Sequence, residues 1–567
     1  MKLLRLKITD PKGFRSLQAG FEYRFRSEWD LQEEQGFAPF VCAGPNGSGK
    51  SNLLEALAAI FYHLECIYLE NLPDSFRYDE ERNPGGFRSE KAIPNGFEIE
   101  YLTQRPKDLP VEDEQIRIII LKQPEQAPQW RLWNVGLNDW EELPDGQELR
   151  RSLLSDYILG YSSGENEILS LPFFKMRFVQ FDEYWQALKQ QLPYPGRPES
   201  RLVYLDSGFS QAILLCNLLF QDADVLKAFH EDVKIKELKE FRIIIRRSIE
   251  VDESQIPAFG SQDESKQESI EEIIKNHPAL TVIEDENQSK RYRVNIVQLL
   301  DDSDNTDKVI PRLMRCATCW YLDEASDTLY LDYWVNDATR QAFRENFDFE
   351  INNSPIALFQ AFQVLLTLNL FSVSDPLKAD LYQSDSHYVS ETVPTLASDE
   401  RIMRFKFVKF SKTDVAEPVM LKNLSDGEHQ MLHTMGLCLL FKNTRSLFLL
   451  DEPETHFNPD WRANFVTRLP ESFNGSDGQE RLVTTHTPFL ISDSRPEKVL
   501  VFNKAGGVVS VSHPDYNTLG ASINKITMAT FGKRETIGGH AQSMLDGLRQ
   551  RFEQGEDKEQ LIAEINR

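Results

Sequence analysis

The octapeptide GPNGSGKS at residues 44–51 constrains this chain more than any other stretch. Glycines at this spacing let successive backbone N–H groups close around phosphates, while Lys50 reaches the terminal phosphates and the Ser51 hydroxyl holds magnesium. Such a loop works between a strand and a helix, because the helix N-terminus adds a favourable field for an anion. The flanks meet that demand. FAPFVCAG (37–44) reads as an apolar strand, and SNLLEALAAIFYHL (51–64) repeats apolar residues at helical spacing. The expected fold is therefore α/β, with Gly44, Pro45, Asn46, Gly47, Ser48, Gly49, Lys50, Ser51 and Asn52 around the phosphates.

Two later stretches supply the chemistry such a loop lacks. SLFLLDEPETHFNP (446–459) is an apolar strand ending in adjacent carboxylates, at the sheet edge where nucleotides lie in α/β folds. Asp451 is the expected magnesium residue, acting through the water shell of the ion, and Glu452, facing the other way, the expected general base. RLVTTHTPFLI (481–491) ends another strand at His486, placed to hydrogen-bond a terminal phosphate. Lys50, Glu452 and His486 form the expected catalytic set. LKNLSDGEHQML (421–432) reads as a helix entered through Ser425, with Gly427 and Glu428 close behind. It offers bare N–H groups and a hydroxyl but no lysine, so it is a phosphate site that cannot be a complete nucleotide site alone.

Composition narrows the partners. Lys plus Arg total 63 against 89 Asp plus Glu, and a net charge of -26 opposes indiscriminate attraction to nucleic acid. Any such contact is a local patch. KIKELKEFRIIIRR (234–247) is the candidate, with Lys239, Arg242 and Arg246 spaced to share a helix face; a solvated helix face is the equal alternative. Six scattered cysteines and the charged start MKLLRLKITD fit a cytoplasmic protein without a signal peptide. CATC (316–319) offers two ligands where zinc needs about four, so two buried or reduced cysteines are expected, an intersubunit site being the lesser alternative. The most apolar window, 356–371, contains Gln360, Gln363 and Asn369 and reads as a buried helix, not a membrane span.

Along the chain, strands are expected at 2–8, 21–26, across 96–135, at 329–335 and from 402, with a helical block at 355–372. Polar tracts at 249–275 and 284–308 read as loops or linkers. Four parts follow: 1–190 with the phosphate loop, an insertion of helices, short strands and linkers at 191–400, a second lobe at 401–510, and a helical tail at 511–567. In the tail, Leu545, Leu548 and Phe552 share one face, and Leu561, Ile562 and Ile565 lie on a second short helix. That face docks on its own domain or, as the lesser expectation, on a partner.

In this order, phosphate loop, LSDGE, apolar-Asp-Glu-Pro-Glu and switch histidine resemble the ABC-type ATPases of the SMC and RecF group. The resemblance implies an ABC-type P-loop head with an antiparallel β-rich N-terminal lobe and a mixed helical insertion. It also implies a homodimer with two ATP between its heads, Ser425 and Gly427 acting in trans. DEPETHFNP and KGFRSL (12–17) resemble the OLD-like ATPases, in which the position of Arg15 approaches the nucleotide. The size, an irregular insertion in place of a coiled coil, and YSSGENE (161–167) resemble PtuA, the ATPase subunit of Septu and retron-associated anti-phage systems. That implies an HNH nuclease partner, PtuB, and in retron versions a reverse transcriptase with its RNA-linked DNA. Gln180, in RFVQFDEY (177–184), is the candidate for the metal-site glutamine joining nucleotide to lobe; an exposed strand residue is the other reading. The alternative function is an SMC- or RecF-like DNA repair ATPase, against which the missing coiled coil between 190 and 400 counts. A built-in Toprim nuclease lacks its acidic pattern after 510, and a transporter ATPase would have a shorter gap between Ser51 and Ser425.

Overall fold

The computed structural model describes residues 1–565 apart from 28–29, 32–37, 70–71, 108, 110–112, 144–145, 164–166, 192–198, 261–267, 285–289, 303–307, 350–353, 387–388, 390–392, 394–395, 472–477 and 533–537. Apolar strands such as FVCA, YILGYS and SLFLLD are buried along their whole length. Strands of that kind are covered on both faces, which suits a parallel sheet. They form the centre of a seven-stranded sheet ordered Val508–Ser512, Val499–Ala505, Phe40–Ala43, Glu480–Thr484, Ser446–Asp451, Tyr157–Ser162, Leu202–Tyr204. All neighbours run parallel except the hairpin of Val499–Ala505 with Val508–Ser512.

One face of this sheet packs on the helix Lys50–Ile67 through Leu53, Leu54, Leu57 and Ile60, in a core shared with a six-stranded antiparallel sheet. That second sheet is ordered Glu22–Arg24, Lys2–Ile8, Phe97–Gln104, Gln115–Lys122, Gln129–Asn134, Asp139–Glu142, as the N-terminal lobe was expected to be. A buried ion pair ties the two sheets together. Glu480 accepts from Arg26 and from the Leu3 N–H (2.8 Å), and Arg26 also donates to the Leu3 carbonyl (3.0 Å).

The other face of the parallel sheet shares a core with the helices Ser207–Phe220 and Asp426–Leu440 and with a five-stranded antiparallel sheet. Its order is Cys319–Asp323, Thr328–Trp334, Ile235–Arg246, Met403–Lys412, Val415–Met420. The stretch 234–247 is thus a strand, not the expected helix. The run Ile243, Ile244, Ile245 is β-branched, and such side chains pack better on a pleated surface than on a helix. Lys239 consequently does not share a helix face with Arg242 and Arg246.

Further differences follow from pairing across long sequence distances. The edge strand Leu202–Tyr204 completes the parallel sheet from beyond residue 190, and Ile235–Arg246 pairs with Met403–Lys412 across residue 400. The polar tracts contain order: Ser248–Val251, Leu280–Glu284 and Lys290–Asn295 form a three-stranded sheet, and Ile270–Asn276 is a helix. The apolar window holds the helix Ile356–Thr367 with Leu358, Phe359, Phe362 and Leu365 buried; no single helix among the described residues is long and apolar enough to cross a membrane. In the tail, the helices Gly539–Glu553 and Lys558–Ile565 leave Leu545, Phe552, Ile562 and Ile565 exposed, against the expected docking on the chain's own domain; Leu561 is buried. Cys316 is buried and Cys319 exposed, both as free thiols, which agrees with the expected buried or reduced pair.

Candidate nucleotide site

Parallel pairing brings the strand ends to one edge. Asp451 lies opposite Ser162 on one side and Thr484 on the other, and Thr484 opposite Cys42, so the phosphate loop leaves the sheet beside both carboxylates. Gly44 has φ 141°, and a Cβ there would lie 2.3 Å from the Phe502 carbonyl oxygen, so only glycine lets the loop start. Pro45, Asn46 and Gly47 form its exposed tip, while Ser48, Gly49 and Lys50 are buried. Lys50 Nζ donates to the carbonyls of Gly44 (2.9 Å) and Pro45 (3.0 Å), and burial lowers its pKa.

Asp451 is fully buried in a net of hydroxyls. Its Oδ1 accepts from Ser51 Oγ (2.8 Å) and Thr484 Oγ1 (2.6 Å), and its Oδ2 from Ser162 Oγ (3.2 Å). Burial raises the pKa of this carboxyl, and the donated hydrogen bonds oppose the rise. Glu452 has φ 51°, a strained conformation for a non-glycine residue, held where its N–H donates to Thr484 Oγ1 (3.0 Å). The kink turns its side chain to His486, whose Nε2 lies 2.7 Å from Glu452 Oε1. That hydrogen bond is the largest reason the Glu452 pKa is lowered. A carboxylate kept ionised beside a histidine is thereby assembled from two strand ends.

Behind it, Glu454 is buried with Thr485 Oγ1 donating to it, and burial pushes its pKa up to about 7. Thr484, Thr485, Ser162 and Glu454 were missed by the sequence reading. The hydroxyl pairs in YSSGENE and VTTH were the available signal. Of YSSGENE, residues 164–166 lie outside the described residues.

Ser425 caps the helix Asp426–Leu440 by a reciprocal arrangement in which Ser425 N–H (2.9 Å) and Oγ (2.8 Å) donate to Glu428 Oε2. Lys412 Nζ donates to the other Glu428 oxygen at 2.5 Å, and the Glu428 carboxylate serves the cap. A Cβ on Gly427 would lie 2.8 Å from the His456 carbonyl oxygen, so this glycine lets the helix approach the loop after Glu452. Gln430 fastens the same contact, accepting from His456 N–H at 2.7 Å and donating to the Glu452 carbonyl at 3.5 Å.

One expected residue lies elsewhere. Gln180 is neither an exposed strand residue nor placed at the carboxylates. It is buried within the helix Leu171–Lys189 and donates to the Glu199 carbonyl at 3.0 Å. Arg15, at φ 55°, donates to Glu55 on the phosphate-loop helix (3.0 Å) and to the Asp385 carbonyl (2.7 Å), while neighbouring Ser16 donates to Asn52 (2.5 Å).

The residues fit a magnesium nucleotide on observations of their own. Ser48 Oγ is buried without a partner among the described residues, next to glycine-rich backbone, and Ser51 with Asp451 forms the oxygen donor set a hard cation requires.

Comparison with known proteins covers part of this site. Residues 353–492 match the model of the family described as AAA domain, putative AbiEii toxin, Type IV TA system. The match covers the helix Asp426–Leu440, Asp451, Glu452 and His486, and stops short of the phosphate loop. Protein ea59 of Escherichia phage lambda is 23% identical over 135 residues, 24% of this chain. The chain spans about a quarter (25%) of the length of that curated relative. Among solved structures, the SmcHead bound to the C-winged helix domain of ScpA aligns over 91% of this chain and 98% of that one, at 11% identity and TM-score 0.32. The sheet order, phosphate loop and paired carboxylates give an α/β fold whose strand ends gather the residues a magnesium nucleotide requires.

Proposed function

We propose that this chain is the ATP-binding and hydrolysing subunit of an anti-phage complex. Two copies close head to head on two ATP, and their ATP state controls an associated HNH nuclease of the PtuB type, joined in retron versions by a reverse transcriptase and its RNA-linked DNA. The observation that carries this reading is a division of parts. One sheet edge gathers Lys50, Ser51, Asp451, Glu452 and His486, whereas Ser425 and Glu428 hydrogen-bond each other and not the phosphate loop. A signature helix with an exposed N-terminus and no lysine suits the phosphates of a second copy.

In this mechanism Lys50 exchanges the Gly44 and Pro45 carbonyls for phosphate oxygens. Ser51 and Asp451 hold magnesium, which when bound neutralises charge developing on the phosphoryl group. Glu452 takes the proton of the attacking water, and His486 orients Glu452 and donates toward the terminal phosphate. Gln430 and Gly427 join the signature helix to the loop following Glu452, so closure of the lid is felt at the base.

The test combines ATP turnover with mass measurement in solution. Glu452→Gln retains ATP, accumulates as dimer and loses turnover by roughly a hundred- to ten-thousandfold. Lys50→Ala loses nucleotide affinity. Mixing Lys50→Ala with Ser425→Arg regenerates one intact composite site and restores part of the activity. Turnover of Glu452→Gln at the wild-type rate, or no recovery on mixing, would sink the reading. Co-expression with an HNH subunit then separates a nuclease switch from a repair ATPase, since the latter forms no such complex.

A further inference from the structure

The five-stranded sheet has one face packed into the core and one in solvent, and the solvent face has an unusual composition. Register fixes which residues share it. One row across the strands reads Cys319, Asp332, Arg242, Lys406; the next reads Tyr321, Tyr330, Ile244, Arg404; a third reads Trp334, Glu240, Lys409. The opposite face carries Ile243, Ile245, Leu331 and Tyr333, all buried. Aromatic rings that would bury well in a core are here held in water: Trp334 is 65% exposed, Tyr321 46% and Phe407 40%.

These rings are ordered. Tyr321 and Tyr330 stack at 4.6 Å with planes 4° apart. The Arg242 guanidinium lies 5.5 Å from the Tyr330 ring and 5.6 Å from the Phe407 ring, and Asp332 orients it through two hydrogen bonds of 2.6 and 2.8 Å. Phe407 sits at a bulge where the register with Ile235–Arg246 shifts, at φ 55°, which is costly for a bulky residue. The strain presents the ring outward, with Lys406 Nζ 4.9 Å above it. A cavity of about 400 Å³ opens between Trp334, Phe407, Arg242, Cys319 and Lys409. Lys406 and Phe407 also line a larger cavity, about 690 Å³, that reaches Asp426, His429 and Gln430 of the signature helix.

We infer that this face binds single-stranded nucleic acid, its bases stacking on Trp334, Phe407 and the Tyr321–Tyr330 pair while Arg404, Lys406 and neighbouring cations follow the phosphates. In a chain of net charge -26, these rows carry Arg242, Arg404, Lys406 and Lys409 against Asp332 and Glu240, a local positive excess that favours a polyanion over an apolar protein surface. Exposed rings on an open sheet favour unpaired bases, because a base inside a duplex offers no free π-face. The inference is independent of the nuclease assignment above.

The test is fluorescence anisotropy of the full chain with a labelled oligothymidine of about 20 nucleotides, a single-stranded RNA and a duplex of the same length. The wild type binds the single strands, more weakly as salt rises, and prefers them to duplex. Trp334→Ala and Tyr321→Ala each weaken binding roughly 5- to 150-fold. Lys406→Glu weakens it and flattens the salt dependence, and Phe552→Ala, an exposed aromatic in the tail, leaves it unchanged. Thermal melting identifies an alanine variant that has lost its fold, in which case the Lys406→Glu arm decides. Three results would each overturn the inference: no oligonucleotide bound at low salt, single-strand affinity indifferent to both aromatic substitutions, or duplex bound as tightly with only Lys406→Glu having an effect.

Discussion

The parallel sheet and the five-stranded antiparallel sheet carry polar groups in opposite ways. In the first they sit at strand ends, buried and interlocked: Asp451 with Ser51, Thr484 and Ser162, and Glu454 with Thr485. In the second they lie across an open face and pair between strands, Arg242 with Asp332 and Lys409 with Glu240 (2.5 Å). A parallel strand delivers consecutive residues to the sheet edge as the chain leaves it, so its chemistry is written as a contiguous motif. A sheet face draws alternate residues from several strands and leaves no motif behind.

The comparison can be broken by stability measurements in urea, and the largest effect is expected beneath the parallel sheet. Arg26→Leu strands Glu480 unpaired in the core and costs about 3–5 kcal/mol. A loss under ~1 kcal/mol would mean that the two sheets do not depend on this pair. Next is Glu454. Its carboxyl is protonated in the folded chain up to about pH 7 but only to about 4.5 when unfolded, so the native state binds more protons between these values. Stability therefore falls as pH rises from 4.5 to 7, by up to about 3 kcal/mol, and Glu454→Gln removes most of that fall. An unchanged pH profile in the variant contradicts the assignment.

Gly427→Ala comes third. Its methyl meets the His456 carbonyl, costing about 1–3 kcal/mol, and ATP turnover falls with it because the displaced loop begins at Glu452. Normal stability with lost turnover would sharpen the comparison by assigning this glycine to the lid alone. The smallest effect belongs to the antiparallel face. Lys409→Met breaks a half-exposed pair with Glu240 and shifts stability by less than ~1 kcal/mol. A larger loss would show that the open face is built for folding.

The legible and illegible parts of the chain divide along the same line. The segment from Phe40 to Ile67 folds as expected because strand, loop and helix adjoin in sequence and the glycines prescribe the turn. Asp451, Glu452 and His486 were legible because each ends an apolar run. Residues 234–247 were misread because Lys239, Arg242 and Arg246 fit a helical period as readily as the isoleucines fit a strand; pairing with Thr328–Trp334 and Met403–Lys412 decided between them. Gln180 was misread for a related reason, since RFVQFDEY mixes Arg177, Gln180, Asp182 and Glu183 among its apolar residues without a clean helical stripe, and the helix buries Gln180, Asp182 and Glu183 along with the apolar side chains. Thr484 and Ser162 carried little signal until register set them beside Asp451.

By itself the sequence determined the backbone of the phosphate loop and which lysine, carboxylates and histidine stand at the strand ends, because these depend on neighbours a few residues away. Only the tertiary structure decided which hydroxyls hold Asp451, that Glu428 caps its own helix, and that rings and cations from four strands meet on one face. Burial and pairing set the energy of a polar group, and both are supplied by residues that may be hundreds of positions distant, such as Ser162 for Asp451, 289 residues apart.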